Sequence, residues 1–125
     1  MTEEDIKKLK KDVDGLATYE FIANNIGNCD AEDMTLLVDN IINVDRNGQF
    51  LVSTARYLNA INKEKYSEYI DKMVKVAIDK DREHRYIPDL LSGLWGADYA
   101  EHHEELSASD DNFRRIYKRV FPKGM

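Results

Sequence analysis

From Ile6 onward the apolar residues of this chain recur at steps of three and four, the spacing that gathers them on one side of an α-helix. No stretch of four to eight residues alternates apolar and polar between hairpin turns, as a strand would. That pattern excludes most folds and predicts an all-α protein. Ile6, Leu9, Val13, Leu16 and Ala17 form a first stripe, with Lys7, Lys8, Lys10 and Lys11 opposite and Thr2 and Asp5 spaced as a capping pair. Gly15 lies inside the stripe and loosens it, since glycine in a helix interior costs about 1 kcal/mol relative to alanine. Leu16, Tyr19, Phe21, Ile22 and Ile26 carry a second segment to a stop at Gly27-Asn28.

Asp30 is placed as the N-cap of a helix whose apolar side is Met34, Leu37, Val38, Ile41 and Ile42. Arg46-Asn47-Gly48 reads as a turn, and Phe50, Leu51, Thr54, Ala55, Leu58 and Ile61 as the next helix. Asn62 is placed to cap the helix carrying Tyr66, Tyr69, Ile70, Met73, Val74 and Ala77. Pro88, tolerated only in a first turn, opens a short helix that Gly96 closes after Trp95. Ala97 to Leu106 has no breaker and reads as one helix. Ser107 or Ser109 starts the last one, with Phe113, Ile116, Tyr117 and Val120 inward and Pro122 as the stop. All 125 residues fit one domain.

The stretch from Leu36 to Leu94 also echoes itself. Val38 to Val44, advanced by 32 positions, meets Ile70 to Val76, with four apolar positions and one Asp kept. One further residue of offset lays Tyr57-Leu58 on Leu90-Leu91. Leu36 to Ile42, then Asp45, then Phe50 to Ile61 with Ala55 and Leu58, resembles a HEAT-type helix pair: an apolar first helix, an Asp-containing turn, and a second helix with Ala and Leu at helical spacing. The second copy has Asp79 and Asp81 in its turn but puts Arg85 and Pro88 where Val52 and Ala55 stand in the first. The resemblance covers residues 36–95 and implies a short stack of antiparallel helix pairs whose groove binds another protein. A six- to seven-helix bundle is the alternative architecture.

The net charge of −6 argues against non-specific binding to nucleic acid, which needs a basic face. It suits a basic partner. The lone cysteine, Cys29, excludes an intramolecular disulfide and a four-thiolate zinc site. The acidic N-terminus is unlike a signal peptide, and no apolar run reaches membrane-spanning length, which places the protein in the cytoplasm.

No catalytic motif emerges. Asp98 and His102 share a helix face, as do Tyr99 and His103; a carboxylate beside an imidazole suits a general base and is equally an ordinary surface pair. Cys29 precedes a helix start, where amides lower a thiol pKa, but Asp30 opposes that. Arg114, Arg115, Lys118 and Arg119 make a basic stretch that the acids just upstream neutralise. The sequence therefore reads as a non-catalytic protein–protein interaction module without metal or cofactor, in its most concrete form a dedicated inhibitor such as an immunity protein or antitoxin. Its expected contacts are Asp71, Asp79 and Asp81 for charge, with Tyr86, Trp95, Asp98 and Tyr99 around them. The alternative is a small metal- or histidine-dependent hydrolase centred on Asp98, His102 and His103. The irregularity at Arg85 and Pro88 is expected to bring His84, Trp95, Asp98 and Tyr99 into one neighbourhood.

Overall fold

The computed structural model describes residues 1–123. Among them are eight α-helices, one more than the larger of the expected counts: α1 (Glu3–Lys10), α2 (Leu16–Asn25), α3 (Ala31–Val44), α4 (Gln49–Asn62), α5 (Ser67–Lys80), α6 (Pro88–Trp95), α7 (His103–Ser109) and α8 (Asp111–Val120). Short 3-10 turns cover Ile26–Asn28 and Tyr99–His102. The fold is all-α, and no described helix is long and apolar enough to cross a membrane.

Several ends form as local chemistry dictates. Thr2 with Asp5 and Asp30 with Asp33 each close a reciprocal capping box, and Pro88 stands in the first turn of α6. Others differ from expectation. Asn62 ends α4; its side chain accepts from the Lys65 amide in the following turn, and α5 starts only at Ser67. Gly96 at φ 97° stops α6, and Ala97 to Leu106 is broken by the 3-10 turn instead of running as one helix. The last helix is capped by Asp110, whose side chain accepts from the Phe113 amide, and not by a serine.

The helices lie in two rows. One contains α1, α3, α5 and α8, each packed on the next; the other contains α2, α4 and α6. Side chains tie neighbours within a row at the same level. Asn40 of α3 donates to the Leu9 carbonyl at 2.8 Å, Lys80 of α5 donates to the carbonyls of Ile42 and Asp45, and Lys72 pairs with Asp39 at 2.6 Å. In the last step Asn112 meets Asp71 at 2.8 Å and Arg115 meets Asp79 at 3.1 Å, so α8 runs parallel to α5. Ile22, Leu37, Ile41, Leu51, Leu58, Met73, Ile87, Leu90 and Phe113 fill the space between the rows, essentially out of contact with water. Each such side chain contributes about 1.5–3 kcal/mol of apolar burial.

The three loops that lead from the first row to the second, α1–α2, α3–α4 and α5–α6, are each built on one aspartate. Asp45 accepts from the amides of Asn47 and Gly48 with one carboxylate oxygen and from those of Phe50 and Leu51 with the other, at 2.8–3.1 Å. Asp12 accepts from the amides of Asp14, Gly15 and Thr18 and from the Thr18 hydroxyl. Asp81 accepts from those of Arg85, Tyr86 and Ile87. These are the free amides at the start of α2, α4 and just before α6, which a helix otherwise leaves to water. Three residues after each aspartate the backbone turns to positive φ: Gly15 at 108°, Gly48 at 88°, and His84 at 54°. The loops also press on one another. A Cβ on Gly15 would stand 3.4 Å from the Asp45 Cβ, and one on Gly48 would stand 3.3 Å from the Asp81 Cβ.

The Asp12 loop overrides the expected first stripe. α1 ends at Lys10, Gly15 becomes the entry to α2 instead of an interior residue, and Val13 is left 73% exposed at the loop tip. The internal repeat is real in a different register. Asp45 follows Asp12 by 33 residues, and Asp81 follows Asp45 by 36, the same interval that carries Ala31–Val44 onto Ser67–Lys80.

Candidate functional site

Beyond α6 the pattern changes. The 3-10 turn and α7 are inserted before α8 takes the next place in its row, and a cleft of about 410 Å³ opens there. Its walls are the ends of α4 and α6, the first half of α5 and the start of α8, with Leu106 and Ser109 of α7 along one edge. Ile70, Val74, Leu94 and Leu106 make it apolar on one side, while Asp71, Asp110 and Asn112 supply oxygen acceptors.

Each polar group is held by a named contact. Trp95, the only tryptophan, sets its ring edge-on to Phe113 with centroids 5.2 Å apart and donates its indole N–H to Asp110 Oδ2 at 3.0 Å. The other oxygen of Asp110 caps α8. Asn112 is 7% exposed; its Nδ2 donates to Asp71, and its Oδ1 is buried without a hydrogen-bond partner among the described residues. Such an orphan acceptor is uncommon, because leaving it unpaired costs about 1–3 kcal/mol. Asp71 also pairs with Lys75 on the outer surface at 2.6 Å, where both side chains are about half exposed. Lys63 lies at the border of the cleft on the exposed turn after α4.

The expected contact residues separate into groups. Asp71 and Trp95 line the cleft. Tyr99 is half-buried against the same Phe113, with centroids 6.4 Å apart, so Trp95 and Tyr99 belong to an internal aromatic cluster that continues through Tyr117. Asp79 is exposed and paired with Arg115. Asp81 is not a surface charge: it is 2% exposed and gives both oxygens to its own backbone, which removes it as a contact for another molecule. Tyr86 is half-buried beside it, its amide donating to Asp81. His84 belongs to that loop as well, at the opposite end of α6 from Trp95, so the expected gathering of His84 with Trp95, Asp98 and Tyr99 does not occur.

Asp98 and His102 are in contact at 3.2 Å and, with Glu101, bring three ligand-type atoms within 4.8 Å of one another. All three are exposed, and the shallow depression at His102 and His103 is lined only by neighbours in sequence, Ala100 to Glu105. His103 turns away to stack on Tyr117, centroids 5.0 Å apart. Burial pushes the Cys29 thiol up, and Asp33 pushes it the same way; its Sγ donates to the Asn25 carbonyl. That is a protonated structural thiol and not an activated nucleophile. Of the basic residues on α8, Arg114 pairs with Asp111, Arg115 with Asp79, and Arg119 donates to the Arg115 carbonyl; Lys118 is exposed.

Asp110 and Asn112 were not singled out by the sequence. Asp110 carried a signal as a possible N-cap, whereas nothing local distinguishes a buried Asn112 from an exposed one. Compared with protein-family models, curated proteins and solved structures, the chain finds no match.

Proposed function

We propose that this chain is a non-catalytic module that binds a basic protein, with the cleft between α5, α6 and α8 at the centre of the contact surface. The observation that carries this reading is the cleft itself. It is the place where an otherwise regular stack is interrupted, and it brings a tryptophan and two carboxylates together beside an apolar wall. Aromatic residues in partly closed pockets dominate interface energetics, and the net charge of −6 favours encounter with a basic surface. The Asp-containing turns and the stacked pairs support the kinship with HEAT-type modules that the sequence suggested. In its narrowest form the module is a dedicated inhibitor, an immunity protein or antitoxin, that covers the active site of a basic enzyme in the cytoplasm.

A pull-down from native lysate tests it, comparing the wild type with the Asp71→Asn/Asp110→Asn double variant. Asparagine keeps one oxygen to cap α8 and nearly the same size, while its amide replaces the oxygen that accepts from the Trp95 indole, so the variant removes charge and that one hydrogen bond. The expected result is a stoichiometric basic protein, released by high salt and not retained by the variant. Recovery of no stoichiometric protein, or of one held equally well by both, counts against the proposal.

A further inference from the structure

We infer that the cleft is a receptor for a single arginine side chain projecting from the partner protein. The inference rests on the protein-binding reading and names what that partner must present. An aliphatic stem is matched by Ile70, Val74 and Leu94, and a cationic head by the carboxylates of Asp71 and Asp110. Both carboxylates already accept hydrogen bonds, from Asn112 and Lys75 and from Trp95 and the Phe113 amide. A carboxylate offers about four acceptor sites, so capacity remains on each. The buried Oδ1 of Asn112 adds an unbalanced carbonyl dipole beside Asp71, and no donor among the described residues answers it. Anionic ligands would meet this acceptor surplus unfavourably, with Lys63 at the border as the one lining cation, while a cationic donor group answers it best.

Arginine fits better than lysine for two reasons. Its five donors in a planar fork match acceptors set on separate walls, and its flat, weakly hydrated guanidinium stacks on an indole. Lys75 is a local competitor, holding Asp71 from the solvent side. An exposed ion pair of this kind is weak, so a seated guanidinium can share or displace it.

The experiment uses the full chain and blocked amino acids as probes: N-acetyl-arginine N-methylamide, with the lysine, norleucine and glutamate analogues, and free arginine. The single indole N–H of Trp95 and the side-chain amide of Asn112 are the NMR reporters. The inference predicts saturable shifts of both signals with blocked arginine, weaker binding of the lysine probe, and little response to norleucine or glutamate. Asp71→Asn/Asp110→Asn should weaken the arginine probe at least about tenfold, the loss expected for a charge-assisted hydrogen bond. Lys75→Met should tighten it about twofold by freeing Asp71. An unchanged melting temperature in the variants separates lost binding from lost folding. No saturable shift with blocked arginine overturns the inference. So does norleucine or lysine binding as tightly, or binding of free arginine alone, which would mark a small-molecule site. If the probe fails while a lysate partner still binds through Asp71 and Asp110, the arginine assignment falls and the protein-binding reading stands. If the probe binds and no partner is recovered, the preference of the cleft for arginine stands and its assignment to a partner protein falls.

Discussion

Asp45 and Asp110 both stand at the entrance to a helix, yet they leave very different amounts of chemistry to spare. Asp45 is 1% exposed and its two oxygens take four backbone amides from its own loop. Asp110 takes one amide and one indole N–H, and it borders an open cleft. The same residue type is thus a structural ligand in the regular part of the stack and an available charge in the irregular part. Burial alone does not make the difference. It comes from how many donors the neighbouring backbone aims at the carboxylate, and the inserted turn and α7 leave Asp110 with few.

Substitution to alanine should expose that difference most strongly. Asp45→Ala leaves four buried or half-buried amides without their acceptor and should cost about 3–4 kcal/mol in urea unfolding. Asp110→Ala removes an N-cap and the acceptor of the Trp95 indole, both beside an open cleft where water can take their place, and should cost only about 1–2 kcal/mol. Equal losses would erase the distinction. The next largest effect concerns the positive-φ positions. Gly48→Ala places a Cβ 3.3 Å from the Ala77 carbonyl oxygen and from the Asp81 Cβ, in a backbone conformation that L residues resist, and should destabilise by about 2 kcal/mol. His84→Gly should do the opposite, raising stability by about 0.5 kcal/mol, because relief of its left-handed backbone slightly exceeds the entropy that glycine adds to the unfolded chain. Thermal melts of the two variants, moving in opposite directions, are the check.

The smallest effect is expected in acid. Burial pushes the Asp12 carboxyl up, but hydrogen bonds from Thr18, Gly15 and Asp14 outweigh it and hold the pKa below the ordinary value of 3.8. A group lowered in the folded state contributes its stability above that ordinary value and loses it as the pH falls through the lower folded value. The wild type should therefore lose its advantage over Asp12→Asn as the pH drops below about 3.8. An advantage that persists well below that pH would mean the loop does not depend on the ionised carboxylate.

Much of this could be seen in the sequence. The capping boxes at Thr2 and Asp30, the Pro88 start and the Gly96 stop depend on contacts within one turn, so spacing reveals them. The repeat was visible but placed at 32 to 33 residues instead of 36 between α3 and α5. A slip of about one helical turn keeps the apolar face aligned, so periodicity cannot tell the two registers apart. The loops could have fixed it. Asp12 and Asp45 each precede a glycine by three residues, but at the third copy His84 holds the glycine's place, and a search by residue identity passes over it. Asp81 was misread as a surface charge because its partners are backbone amides, which look the same at every position. The cleft was legible only through Trp95 and Asp71, since Asp110 and Asn112 reach it through a tertiary arrangement that begins with an insertion.

The contact of each loop's glycine with the next loop's aspartate has a consequence for how the molecule could be lengthened. Gly15 answers to Asp45 and Gly48 to Asp81, so adjoining layers are linked by a single steric rule. In a nearest-neighbour description, one additional layer contributes one intrinsic energy and one junction energy and leaves the rest unchanged. A duplicated helix pair spliced between the second and third loops should therefore be accepted if it supplies an aspartate at the turn and a glycine three positions later. The row would grow by one unit, and the cleft beyond α6 would travel with its end.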